Sequence, residues 1–391
     1  MRPLLPGLML AQALALSAAP LLILVGGLAG AQLNPDPRFA TLPVAAMICG
    51  TALAAFPAAR LAALLGRRRL FLLAMALGAF ASAGAATSVA LGWFWGFVAS
   101  TLLTGMVNAV VQQFRFVAMA SVAPERQAVV ASRLLLVGLV SAFMGPELVR
   151  LLTWFPDTGF APAFAALAAL YLLALPVLWW VMPAGTNTQQ TAAGEGRGWA
   201  ELLAQPPLQL AIASAACGFG VMAYVMTATP LSMTQGMGYA LSDAKWVIQS
   251  HIAAMFLPSL VTGQLIRRFG HWNMIASGLA VMVVCLAFAW WDQTLLHYWG
   301  GLILLGLGWN LLFVSGTSLL TRGYRAEEAT RVQGMNDALV FTAQAFGALA
   351  SGAVVLLFGW QGLLLTAVPA LVILALVLIR TRVTGGASAL R

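Results

Sequence analysis

Two residue pairs in the second half of the chain have the types and spacing to hold a soft metal ion. Met222 and Met226 lie four residues apart, and so do His251 and Met255. On an α-helix, residues four apart share a face, so each pair turns two donor side chains to one side. Thioether sulfur is soft and uncharged, which selects Cu(I) over hard cations such as Mg or Ca. The imidazole of His251 adds a stronger donor without adding charge. A structural reading stands beside this one: the chain holds 16 methionines, so chance pairs at this spacing are expected, and methionine is a common core filler. His251 bears on the choice, because of the three histidines it alone sits well inside an apolar run. His271 and His297 fall at the ends of such runs, where an interfacial role accounts for them.

The elements that carry these residues follow from composition. Of the 391 residues, 61% are hydrophobic and 8% charged, against about 25% charged in a soluble domain. So few charges cannot cover a water-facing surface, and lipid is the solvent for most of the chain. Apolar runs of spanning length lie near 5–30, 39–65, 70–91, 94–122, 127–151, 160–182, 207–232, 244–266, 272–291, 298–320, 331–358 and 360–380. The expected fold is all-α and membrane-embedded, with twelve transmembrane helices in two six-helix halves, 1–182 and 207–391. A polar linker, 183–206, joins them. The first run is too long for the core of a signal peptide and reads as a retained helix. Three cysteines inside apolar runs make no disulfide framework.

The net charge is +9. Its arginines sit between apolar runs and not along a basic stripe, so they speak for orientation in the bilayer and against nucleic acid. With the amino terminus inside, Arg2, Arg60, Arg67, Arg68, Arg69, Arg126, Arg133, Arg197, Arg267, Arg268, Arg322, Arg325, Arg331, Arg380, Arg382 and Arg391 all fall on the inner side. Both termini are therefore expected in the cytoplasm, and the chain in the bacterial inner membrane. The single lysine, Lys245, is expected outside, so no P-loop lysine exists. An enzyme or ATP-driven pump is not expected; a secondary transporter, a facilitator, or part of a complex that supplies energy elsewhere is. Counting ~1.5 Å per residue from helix centres near Gly220 and Met255 puts Met226 (~9 Å outward) about level with His251 (~6 Å), and Met222 (~3 Å) with Met255. The four donors are thus expected to converge close to the bilayer midplane.

The two halves echo each other. The loop after the second run reads Ala59-Arg60-Leu61-Ala62-Ala63-Leu64-Leu65-Gly66-Arg67-Arg68, and the loop after the eighth reads Gly263-Gln264-Leu265-Ile266-Arg267-Arg268-Phe269-Gly270. Ala123-Pro124-Glu125-Arg126 and Arg325-Ala326-Glu327-Glu328 form a second pair. The first pair resembles the major facilitator superfamily signature Gly-x-x-x-Asp-Arg-x-Gly-Arg-Arg, although Ala63 and Arg267 stand where its Asp belongs. Within that superfamily, Met222–Pro230, Gln249–Pro258 and Thr262–Gly270 resemble the CcoA-type copper importers. The resemblance implies a copper site of Met222, Met226, His251 and Met255. It also implies import of Cu(I) from periplasm to cytoplasm by alternating access, serving assembly of cbb3-type cytochrome oxidase. The expected partners are the copper ion, the lipid bilayer and copper chaperones, with copper as cargo and no permanently bound cofactor. The wider group is also similar to importers of riboflavin and other organic solutes, which makes such a solute the alternative cargo.

Asp337, two turns into the eleventh run, is a gating candidate that would pair with Arg60 or Arg67; a carboxylate satisfied by its helix dipole is the plainer reading. Arg115 inside the fourth run reads as paired within the protein, or as a contact for an anionic cargo. Glu147 and Arg150, three apart, read as a local ion pair. Pro146, Pro230 and Pro258 are expected to interrupt helices five, seven and eight.

Overall fold

The computed structural model describes residues 4–34, 36–114, 117–118, 122, 124–182 and 197–385. Among these the regular structure is entirely helical. Eight stretches are long and apolar enough to cross a membrane, and the others fill the remaining expected spans. In chain order the helices are α1 (Leu4–Leu33), α2 (Leu42–Leu65), α3 (Arg67–Ala90), α4 (Phe94–Val111), α5 (Pro124–Glu147), α6 (Ala161–Val181), α7 (Pro206–Leu231) and α8 (Leu241–Phe256). The helix Ser259–Trp291 turns at Gly270, so 259–269 continues α8 and 271–291 is α9. After α10 (Leu295–Leu320), the helix Ala329–Gly385 turns at Gly359 into α11 (329–358) and α12 (360–385). Of the expected linker, 183–196 lies outside the described residues and Trp199–Leu203 is a short helix. The chain forms two compact units, Met1–Gln190 and Thr191–Arg391.

Local chemistry explains the joints. Proline in the first turn starts α2, α6 and α7, where its missing N–H costs no hydrogen bond. Gly66 alone joins α2 to α3, with φ 78° and ψ 145°, and Gly270 joins α8 to α9 with φ 78° and ψ 160°. Only glycine adopts that backbone without strain. The two echoing loops thus share a conformation as well as a sequence pattern. Pro258 cannot donate to Ala254, and the break it makes after Phe256 is bridged by Thr262, whose N–H and hydroxyl both reach the Pro258 carbonyl (2.9 and 2.8 Å). Pro230 precedes a wide turn at Ser232–Gly236, and Pro146 precedes the tight turn Leu148–Thr153. The outward faces carry large apolar side chains such as Phe80, Leu172, Trp179, Leu357 and Ile373, as lipid demands.

Each unit contains the same crossing. In the first, Gly105 of α4 lies directly against the backbone of Met47 on α2. In the second, a Cβ at Gly306 of α10 would sit 2.6 Å from the His251 carbonyl oxygen and 3.0 Å from the Met255 nitrogen of α8. Small residues let membrane helices approach this closely. Asparagines secure both crossings: Asn108 donates to Thr51 (3.4 Å), and Asn310 donates to the Met255 carbonyl (2.7 Å).

Candidate functional site

Within the second unit α10 is the post against which α7 and α8 are gauged. Helix α7 runs antiparallel to it: Ala211 faces Gly316, Ser214 donates to the Leu312 carbonyl (2.8 Å), and Gly218 faces Leu312. Helix α8 runs parallel to it, with His251 on Leu302 and Met255 on Asn310. Counting along α7 from Gly218 brings Met222 to the level of Gly306–Gly308 and Met226 to that of Leu302–Leu304, within about one turn (~5 Å). Met226 therefore shares a height with His251, and Met222 with Met255. All four side chains are buried. The described contacts join His251 and Met255 to α10. Those of α7 bring Tyr224 to Thr366 of α12 (2.7 Å) and Cys217 to the Ala370 carbonyl (3.5 Å).

The state of His251 follows from its partner. Its Nδ1 lies 2.7 Å from the Leu302 carbonyl oxygen. A carbonyl only accepts, so Nδ1 carries the hydrogen and, in the neutral ring, Nε2 keeps its lone pair. That Nε2 is buried with no hydrogen-bond partner, and the residue is 0% exposed. A ligand nitrogen and a hydrogen-bond acceptor are the two things such an atom can be.

Sequence reasoning missed an aromatic patch beside these residues. Phe219 of α7 meets Trp309 edge to face (centroids 5.0 Å, 82°) and Phe313 likewise (4.9 Å, 87°). Trp309 and Phe313 stack at 5.1 Å and 18°, and Phe256 of α8 closes on Trp309 at 6.2 Å. The three phenylalanines are half-buried, so the patch has an open side. Trp309 is buried and its Nε1 has no partner. The available signal was the Trp309/Phe313 spacing of four on a helix facing the Met222 stripe.

The other candidates are placed as follows. Asp337 is exposed on α11, 3.3 Å from the Asn336 amide. Arg60 is exposed near the end of α2, and Arg67 is half-buried at the start of α3; both belong to the first unit. Arg115 lies outside the described residues. Glu147 and Arg150 pair at 3.4 Å. His271, expected at an interface, is instead buried, with Nε2 3.0 Å from the Ser318 hydroxyl, because the turn at Gly270 aims the first residue of α9 inward at α10. His297 does sit at a helix end, bonded to Thr294 and stacked on Phe288. Glu328, from the second echo, is held by Arg197: its carboxylate accepts from the Arg197 backbone N–H (2.8 Å), Nε (2.9 Å) and Nη2 (2.7 Å). That guanidinium, helped by the Arg325 N–H, keeps the Glu328 carboxyl well below the usual range.

The model of the family described as Major Facilitator Superfamily matches residues 7–341. The riboflavin transporter RfnT of Brucella anthropi is 36% identical over 378 residues, covering 95% of this chain and 94% of its own length. An uncharacterized MFS-type transporter of Bacillus subtilis, YdeG, is 30% identical over 350 residues, covering 85% of this chain and 81% of its own. Among solved structures, a POT family transporter in complex with 5-aminolevulinic acid superposes with a TM-score of 0.75 at 10% identity, covering 97% of this chain and 96% of that one. That last likeness concerns the fold alone.

Proposed function

This chain belongs to the Major Facilitator Superfamily, and from that premise we propose that it is a secondary transporter whose cargo is a flavin-like organic solute, riboflavin first among them. The observation that carries the proposal is the 36% identity to a riboflavin transporter across 95% of the chain. Copper was the first expectation and an organic solute the alternative; the relative that matches 95% of the chain supports the alternative. The aromatic patch supports the reversal, since four clustered rings with an open side suit stacking of a flat heteroaromatic ring. The four patch rings, His251 and Asn310 are all uncharged, which suits an uncharged cargo. Orientation is part of the proposal: the arginine bias supports both termini lying in the cytoplasm of a bacterial inner membrane, with import by alternating access.

One observation favours Cu(I) as a second reading. The bare Nε2 of His251 and the two methionine heights are a donor set for a soft cation. Uptake separates the two. A riboflavin-requiring bacterial strain without its own flavin importer, expressing this chain, is given radiolabelled riboflavin and, in parallel, copper. Riboflavin accumulation that unlabelled riboflavin suppresses and copper does not is expected. Copper accumulation without riboflavin uptake, abolished in His251→Ala, would overturn the flavin reading and restore the metal one.

A further inference from the structure

We infer that His251 Nε2 is the hydrogen-bond acceptor for the cargo, with Trp309 Nε1 as a neighbouring donor, so that the site reads a ring edge on which an N–H is flanked by carbonyls. The inference rests on the flavin reading, because the isoalloxazine ring carries such an edge at its imide. The first ground is the fixed tautomer: Leu302 on α10 takes the Nδ1 hydrogen at 2.7 Å, which leaves Nε2 able only to accept. The second is that this atom and Trp309 Nε1 are both buried without a hydrogen-bond partner, a condition that calls for an explanation of each group. The third is the comparison of the two units. The crossing of α2 with α4 holds Met47 where the crossing of α8 with α10 holds His251, and it closes on a glycine just the same. Packing does not require an imidazole there. In height, Phe256 lies five residues, ~7.5 Å of rise, from His251 along α8, and Phe256 packs on Trp309.

The test is binding of riboflavin and of N3-methylriboflavin, whose imide N–H is replaced by a methyl group, to the purified full-length protein in detergent, followed by flavin fluorescence. In the wild type the methylated flavin is expected to bind at least about tenfold more weakly, because a site built to pair with an N–H rejects the analogue lacking it. In His251→Phe, riboflavin weakens by about tenfold and the preference between the two flavins disappears. His251→Gln, whose amide can donate to Leu302 and still accept from the cargo, retains part of the preference. Trp309→Phe keeps the ring and loses the donor, so riboflavin binding weakens while the preference remains. Equal binding of both flavins by the wild type, or a monodisperse His251→Phe protein that keeps the preference, overturns the assignment and leaves riboflavin standing as cargo. Binding of neither flavin by the wild type overturns the cargo reading itself. The wild-type comparison needs no variant, so it decides even if His251→Phe does not fold.

Discussion

Replacing Gly306 by alanine adds one methyl group where α8 and α10 touch most closely. The new Cβ would lie 2.6 Å from the His251 carbonyl oxygen, with the Met255 nitrogen and the Ala254 Cβ each at 3.0 Å. A carbon-to-oxygen contact between helices settles near ~3.3 Å or beyond, so the two backbones must part by roughly 0.7 Å. The atom in the way is a backbone oxygen, so no side-chain rotation relieves it. The hydrogen bonds on either side, from His251 Nδ1 to Leu302 and from Asn310 to Met255, are both 2.7 Å long. The same separation stretches each to about 3.4 Å, past the normal range. Overpacking costs about 1–3 kcal/mol, and two weakened hydrogen bonds add up to about 1 kcal/mol each. A total near 3 kcal/mol in a unit of this size corresponds to a fall in Tm on the order of 6–12 °C. The assay is thermal unfolding of the purified protein in detergent, alongside riboflavin uptake. Uptake is expected to fall as well, because the variant shifts His251 relative to α10. A Gly306→Ala protein that melts within about 1 °C of wild type would falsify the reasoning, since the crossing could not then be as tight as described.

Other perturbations test other joints. Asn310→Leu keeps the branched shape but removes the amide donor from the Met255 carbonyl (2.7 Å), while the Thr262 hydroxyl loses the amide oxygen and keeps the Pro258 carbonyl; a loss of about 1–3 kcal/mol, seen as a lower Tm, is expected. Glu328→Gln removes the carboxylate held by Arg197 and should lower Tm at neutral pH. Because that carboxyl is held below its ordinary value, the wild-type contribution is complete above about pH 5 and is lost only as acid carries the pH down through the depressed value. The Tm gap between wild type and Glu328→Gln should therefore stay constant from neutral to mildly acidic pH, and a gap that closes near pH 6 would contradict the pairing. If Asp337 latches to Arg60 or Arg67, Asp337→Asn should raise labelling of a cysteine introduced on the inner side several-fold; an unchanged labelling rate removes the latch.

The helices were legible because lipid imposes a simple rule. A run of about twenty apolar residues bounded by arginine, glycine or proline leaves little choice, and the echo of Gly66 in Gly270 extended to identical φ values. The interruption at Pro258 was legible for the same covalent reason. Contacts that depend on side-chain direction were not. His271 occupies a helix end, as its position in the apolar pattern implies, yet the turn at Gly270 decides which way it points, and a hydropathy pattern carries no direction. The Arg197–Glu328 pair joins residues 131 apart, and no local spacing foretells it. The aromatic patch draws one ring from α7, one from α8 and two from α10. It becomes a feature only after helix order and facing are known.

The matched heights of the four donor residues were also readable, because they need only helical rise and antiparallel order. Their meaning was not. Equal depth is compatible with a cation held by sulfur and nitrogen, and equally with an organic ring that slides between the same helices. The difference lies in what completes the site. A copper ion asks for sulfur atoms turned toward Nε2; a flavin asks for flat apolar surface and a hydrogen-bond edge. In the proposed flavin reading the flat surface is that of Phe219, Phe256, Trp309 and Phe313, and the partners of the edge are two buried nitrogens of opposite sense, one acceptor and one donor. A metal site has no use for an indole N–H. Internal duplication sharpens the point, since the first unit repeats the glycine crossing with Met47 in the place of His251. The ring nitrogen at the second crossing could serve either cargo, so it is the aromatic patch beside it, more than the methionine spacing, that favours the flavin reading.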